Sequence, residues 1–536
     1  MKKITAILLT LAMILAMSIT AFAEDNTTLT INDSTGRTYK GYQLLKLTTS
    51  LKTGDHHPDN CDDVNHAKDC YNYAYTVNAK YRAIFQEEVF NNGGNYLWIE
   101  NGKPANTSGI TDAQILKYLE NQGSGSGTIR QVADRIYRAI LAASIEADGK
   151  NLTGTNDIIE QGYWLFADVS ELDGNQSNSL VMVDTAGQDA ITINPKTALP
   201  TIDKKVKDID DSEDDKIADN AWIATADHDI GDQVPFKLTA TMPANTQAYK
   251  TYKLVFHDEL SAGLTFVPSS VKVLMYETKH KADADTDLND QQKDVTGDFV
   301  VTTTGLTDGC TFEVSCDNVL AIEGVTNETA FVVYYEATLN EGAVIGDAGN
   351  PNEVYLEFSN DPYGDGTGNT EKHKVTVYTY KLVINKTDSH GHSLKGAGFT
   401  LYKKNLAGNY VVIGEELKGE DMTTFTWSGL DDGDYKLEET TVPEGYNAMD
   451  EILFSVSAEH SVVSGEPKLT SLDGGLMGLG DAVTGIITKD IVNNTGTVLP
   501  STGAKGTMML IMASSMFVMV AVVFMITRKK MSIYED

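Results

Sequence analysis

The chain is 536 residues long and carries 76 Asp and Glu against 42 Lys and Arg, a formal charge of −34 at pH 7. Acid spread along the whole length favours solubility and argues against nucleic acid or an anionic lipid surface as a partner. No Gly-x-Ser-x-Gly, His-Glu-x-x-His or P-loop pattern occurs, so no framework for turnover of an external substrate is visible, and no cofactor is expected. At the N-terminus, Lys2-Lys3, an apolar core from Ile4 to Ile19 and Ala21-Phe22-Ala23 read as a signal peptide over residues 1–23. The mature chain should start near Glu24 and enter an oxidising space.

From residue 24 to 199 the pattern is mixed. Strand-like runs cover Tyr39 to Leu47, Gly162 to Val169, Ser179 to Asp184 and Ala190 to Asn194. Ile129, Val132, Ile136 and Ile140 recur at helical spacing within Thr128 to Ala143, and Thr111 to Glu120 reads as a shorter helix. Gly123 to Gly127 is the loop between them. Four cysteines form two close pairs, and the compartment makes Cys61 with Cys70 and Cys310 with Cys316 the expected disulfides. His56, His57 and His66 around the first pair raise zinc as an alternative, but the spacing fits no ordinary finger, and no metal is expected.

After Pro200 the period becomes two. Val234, Phe236, Leu238, Ala240 and Met242 alternate with polar or smaller neighbours, and Phe331 to Leu339 is a continuous strand-like run. The acidic stretch Asp208 to Asp219 lacks the glycine and terminal glutamate of an EF-hand loop and reads as solvated. A last region, 380–498, has strands at Lys381 to Lys386, Phe399 to Lys403, Asp434 to Glu439 and Ile452 to Val456. The fold class expected is mainly β: tandem Ig-like β-sandwich domains over 24–199, 200–379 and 380–498, the first with helical insertions. Beyond residue 499 come Leu499-Pro500-Ser501-Thr502-Gly503, an apolar run from Met508 to Ile526, and Arg528-Lys529-Lys530. An apolar run of about 20 residues matches a bilayer core of ~30 Å, and the basic cluster after it favours the cytoplasmic side.

Residues two apart on a strand share a face, so each polar residue can be tested by its company. Lys204 falls with Ile202 and Val206, Asn352 with Val354, Leu356 and Phe358, and Asp258 with Tyr252, Leu254 and Phe256. The last region repeats the trio: Lys386 with Leu382 and Ile384, Glu439 with Tyr435 and Leu437, Asn493 with Ile487 and Ile491. Buried, unpaired Lys and Glu are costly, so two such trios call for a chemical explanation. Desolvation lowers the lysine pKa and raises that of the acid, which leaves a nucleophilic amine beside a protonated carboxyl that can polarise the asparagine carbonyl. The product is a Lys–Asn isopeptide, Lys204 with Asn352 and Lys386 with Asn493, catalysed by Asp258 and Glu439. Lys205 and Asn494 are the nearest rivals, on the opposite phase. Lys46, in phase with Tyr42 and Leu44, is a third candidate amine.

Tyr435-Lys436-Leu437-Glu438-Glu439-Thr440, followed by Pro443-Glu444-Gly445-Tyr446, resembles the E-box of collagen-adhesin B-type domains in pilins, which implies Glu439 rather than Glu438 as the acid. Leu382 to Asp388 with Leu394 to Phe399, and Ile491-Val492-Asn493, resemble the first and last strands of that domain. The middle region, through Asp203-Lys204, His257 to Leu264 and Asn352 to Pro362, is similar to the D2 domain of fimbrial backbone subunits, an A-type sandwich with an equivalent bond. The tail resembles a Gram-positive sorting signal, whose sortase would attack the Thr502 carbonyl and release Gly503. Pro195-Lys196 resembles the pilin motif, with Asn194 and Thr197 where the family has tyrosine and asparagine. That resemblance implies that Lys196 accepts Thr502 of another copy. The expected protein is a sortase-assembled major pilin, secreted and anchored to the cell wall. Its partners would be a pilin sortase, a housekeeping sortase, other copies of itself, minor pilins and peptidoglycan. A wall-anchored adhesin for a host or matrix ligand is the alternative.

Overall fold

A computed structural model describes residues 26–32, 36–51, 71–92, 99–100, 103–104, 110–123, 127–172, 174–195, 198–209, 222–285, 288, 292–463 and 466–495. The expected signal peptide, Cys61, Cys70, Lys196 and everything from 496 onward, Thr502 included, lie outside them. Among the described residues strands dominate and helices are few.

In the first region a five-stranded sheet runs in the order Tyr71–Val77, Tyr39–Leu51, Gly162–Asp168, Leu180–Asp184, with Lys150–Leu152 also paired to Tyr39–Leu51. A three-stranded sheet places Asn26–Ile31 between Ala190–Ile193 and Asp157–Glu160. The helix Gly127–Ala142 buries Val132, Ala133, Ile136, Tyr137 and Ile140, the three-and-four spacing that puts one stripe on the core. Asp112–Glu120 begins at an N-cap, Thr111, whose side chain accepts from the Gln114 amide while Gln114 bonds back, a reciprocal box that satisfies two orphan amides. A further helix, Arg82–Asn92, packs Ile84, Phe85 and Val89 against the same core.

The middle region is a two-sheet sandwich. One sheet runs Trp222–Ile223, Thr201–Lys207, Gln233–Thr241, Ala330–Leu339, Leu264–Tyr276, Lys293–Asp294. The other runs Thr225–Asp227, His373–Tyr378, Asn350–Ser359, Leu254–Leu260, Phe312–Cys316, Val300–Thr302, with Thr367–Asn369 beside Asn350–Ser359. Phe236, Leu238, Phe256, Val333 and Leu356 from both sheets fill one continuous apolar layer.

In the last region Tyr380–Asp388 lies between Thr424–Leu430 and, in parallel, Ile486–Asn493. Facing it is a sheet in the order Tyr410–Lys418, Gly398–Lys404, Gly433–Thr441, Ile452–Val463, Glu466–Asp473. First and last strands are thus neighbours, with Lys386 opposite Ile491 and Asp388 opposite Asn493.

Two expectations are corrected. Cys310 and Cys316 are both free. Cys316 ends the Phe312–Cys316 strand and Cys310 precedes it by two residues, and at ~3.3 Å per residue the extended strand between them carries the pair well beyond the ~7 Å Cα limit of a disulfide. Lys46 is exposed rather than turned inward. The pairing of Tyr39–Leu51 with Gly162–Asp168 slips between Gln43 and Leu45, so the phase set by Tyr42 and Leu44 does not continue to residue 46.

Candidate functional site

Lys204 is carried by the Thr201–Lys207 strand, held in antiparallel register by Leu238. Asp258 and Asn352 come from adjacent strands of the opposite sheet, where Asp258 faces Val354 and Asn352 faces Leu260. Alternation turns all three inward, and Asp258 and Asn352 have no exposed surface. Across the sandwich, Lys204 Nζ lies 2.5 Å from Asp258 Oδ2 and 2.5 Å from Asn352 Oδ1. Tyr335, from the Ala330–Leu339 strand, closes the group. Its hydroxyl donates to Asp258 Oδ1 at 3.0 Å and accepts from Lys204 Nζ at 3.1 Å and from Asn352 Nδ2 at 2.7 Å. Phe236 stacks on the Tyr335 ring at 5.2 Å, and Phe266 and Phe312 meet it edge-on. Water is therefore shut out by aromatic surface.

Burial dominates the electrostatics here. Desolvation pulls the Lys204 ammonium down to about 8, although the Asp258 charge opposes it. The same desolvation pushes Asp258 above the ordinary carboxylate range against the pull of Lys204. Both shifts favour an uncharged amine and an uncharged acid.

The last region assembles the other trio differently. Lys386 and Asn493 are buried on adjacent parallel strands, and Glu439 reaches them from the Gly433–Thr441 strand of the facing sheet. Asn493 Nδ2 donates to both Glu439 oxygens, at 2.7 and 3.0 Å, and the Met449 amide donates to Oε2 at 3.0 Å. Lys386 Nζ is 3.8 Å from Glu439 Oε1 and donates to the Ile491 carbonyl at 3.1 Å. Asn493 Oδ1 is buried without a hydrogen-bond partner. Desolvation lowers the Lys386 ammonium to about 8.

The rivals sit elsewhere: Lys205 is partly exposed beside Asp203, Asn494 is exposed, and Glu438 pairs with Lys436 at 3.2 Å. Tyr335 was not singled out from sequence. It shares a phase with Phe331, Val333 and Ala337, and that would have placed its hydroxyl inward.

Residues 230–362 match the family model described as Gram-positive pilin backbone subunit 2, Cna-B-like domain, and residues 380–468 match the SpaA prealbumin-like fold domain. A curated relative, the trypsin-resistant surface T6 protein of Streptococcus pyogenes serotype M6, is 27% identical over 270 residues; the match spans 47% of this chain and 44% of that protein. Similar solved structures include the T6 backbone pilin of serotype M6 Streptococcus pyogenes (16% identity, TM-score 0.47, 89% of this chain and 100% of that one). Another is the full-length major pilin SpaD of Corynebacterium diphtheriae (17% identity, TM-score 0.41, 89% and 99%). The chain thus carries a Gram-positive pilin backbone domain over 230–362 joined to a SpaA prealbumin-like domain over 380–468.

Proposed function

We propose that the chain is the structural backbone subunit of a covalently polymerised surface pilus, welded internally by Lys204–Asn352 and Lys386–Asn493 isopeptide bonds. The observation that carries this reading is the contact of Lys204, Asp258 and Asn352 between the two sheets of a sandwich that matches a pilin backbone domain. An uncharged Lys204 amine is a nucleophile placed beside the Asn352 carboxamide, and Asp258 accepts the proton that the amine sheds and returns one towards the nitrogen that leaves as ammonia. Glu439 has the same task between Lys386 and Asn493. Each domain acts once on itself, so the chain is not an enzyme in the turnover sense.

Between copies, the amine of Lys196 would accept the Thr502 carbonyl from a pilin sortase, and a housekeeping sortase would join the finished fibre to peptidoglycan. Tension then enters a subunit at Lys196 and leaves at Thr502, which puts both welded sandwiches in the load path. The reading is tested by the intact mass of residues 24–502. Each internal bond lowers it by about 17 Da through lost ammonia, and Asp258→Ala and Glu439→Ala should each restore one increment. On cells, a ladder of detergent-resistant oligomers should vanish in Lys196→Ala. A wall-anchored adhesin that never polymerises gives no ladder from either chain.

A further inference from the structure

The two trios differ in how the acid meets the leaving nitrogen. Glu439 accepts directly from Asn493 Nδ2 with both oxygens. Asp258, one methylene shorter, spends its oxygens on Lys204 and Tyr335, and the hydrogen bond of Asn352 Nδ2 goes to the Tyr335 hydroxyl instead. The nitrogen that must depart as ammonia therefore makes no hydrogen bond to the acid in the middle domain and is linked to it through one phenol.

We propose that Tyr335 is a catalytic residue of the Lys204–Asn352 bond, relaying a proton from Asp258 to the departing nitrogen; this rests on the isopeptide reading above. An amide nitrogen has no basic lone pair, so in the resting site it can only donate, and Tyr335 accepts. Attack by Lys204 Nζ forms the N–C bond at Asn352 Cγ and turns Nδ2 into an amine with a lone pair. The same short contact then runs in reverse. With Asp258 protonated on Oδ1 its hydrogen bond to Tyr335 turns round, acid to phenol, so Nζ gives one proton to Asp258 Oδ2, Oδ1 gives its own to the Tyr335 oxygen, and the Tyr335 proton goes to Nδ2. The Cγ–Nδ2 bond breaks and ammonia leaves. One proton has left the lysine and one has reached the ammonia, while Asp258 and Tyr335 end as they began. Phe236, Phe266 and Phe312 hold the phenol ring on three sides and exclude the water that could otherwise do this work.

The test follows bond formation in the full chain made by cell-free synthesis, quenched in denaturant at intervals and read by mass spectrometry of the linked peptides. Tyr335→Phe keeps the ring and removes only the hydroxyl. It should slow the 204–352 link by about 100-fold, the usual size of a general acid–base contribution, while the 386–493 link in the same molecule keeps its rate. Adding Asp258→Glu to that variant should recover about tenfold, because the longer acid reaches Nδ2 as Glu439 does. Limited proteolysis against Asn352→Ala, which cannot react but keeps Tyr335, establishes that the variants fold. A wild-type rate in Tyr335→Phe overturns the relay, and so does a slow variant that the glutamate does not rescue, since the hydroxyl then only positions Asn352. If the unmodified chain forms no 204–352 link at all, the isopeptide reading itself fails.

Discussion

Lys204 and Asn352 stand 148 positions apart in sequence and 2.5 Å apart in space, amine to carboxamide oxygen, between opposed sheets. A covalent bond there closes almost the whole middle domain into one loop. By the chain-entropy argument used for disulfides, a loop of that length removes about 5 kcal/mol of unfolded-state freedom. Asp258→Ala, which should leave the bond unmade, is therefore expected to lower the melting temperature of the middle domain by roughly 10–20 °C. Differential scanning calorimetry of the two chains checks this, and equal melting points would remove the mechanical argument.

The buried amine gives an unlinked chain a pH dependence of definite sign. In Asn352→Ala no bond can form, and Lys204 stays in a site that lowers its pKa from 10.5 to about 8 by desolvation. Between those values the unfolded chain binds a proton that the folded chain does not, so stability must rise with pH across that window. The gain is on the order of 3 kcal/mol, absent below about pH 8. Denaturant titrations at steps through the window measure it, with Lys204→Met as the reference that lacks the titrating group.

How far this was legible in the sequence depends on the strand. Period-two alternation places Lys204, Asn352, Lys386 and Asn493 on faces shared with Ile202, Val354, Leu382 and Ile491, because their strands run without a bulge through the reactive positions. It fails at Lys46, where one slipped residue reverses the face. Tyr335 is hidden for another reason: on the apolar phase of Phe331, Val333 and Ala337 a tyrosine passes as ordinary core, so alternation turns it inward without marking its hydroxyl. The Arg82–Asn92 helix escapes notice because Glu88 lies on its buried face, where it accepts from Tyr118 and Arg135 and interrupts the apolar stripe. Contacts between domains, too, depend on residues distant in sequence, and no local pattern announces them.

One such contact joins the first region to the middle one. Tyr363 donates to Asp134 Oδ1 at 2.6 Å, meets the Tyr137 ring edge-on at 4.7 Å and lies under the Arg138 guanidinium at 5.2 Å. Tyr363→Ala should cost about 2 kcal/mol at this junction, less than a fully buried aromatic because Tyr363 is only half-buried, without touching either trio. Small-angle scattering should then report a longer, more variable separation of the first region, whereas the mass deficit of the internal bonds stays as in the parent chain. An unchanged scattering profile would mean that other contacts hold the junction.

The junction with the last region is electrostatic. Lys403 Nζ lies 2.6 Å from Asp229 Oδ2 and 3.3 Å from Asp431 Oδ2, while His460 Nδ1 is 2.7 Å from Thr225 Oγ1 and its Nε2 3.4 Å from Asp227 Oδ1. Burial works against a charged imidazole, but the Asp227 hydrogen bond and the charges of Asp227, Asp208 and Asp432 outweigh it and hold His460 above its ordinary pKa. The Tyr378 ring, 5.6 Å away, is the aromatic wall of the same niche. A histidine whose folded pKa is raised contributes fully below about pH 6.5 and loses that contribution as pH rises through the folded value. Contact between the two domains should thus weaken as mildly acidic medium becomes alkaline, and His460→Gln should flatten the response. Lys403→Ala should cost about 3 kcal/mol, because Asp229 and Asp431 are left facing each other without a cation. Hydrogen exchange at the Ile230 amide, which donates to the Gly429 carbonyl across the junction at 3.0 Å, is the local readout. Its protection should fall with pH in the parent chain and stay level in His460→Gln; protection that falls equally in both would assign the effect to His228, whose pKa is also raised, and to the aspartates around it.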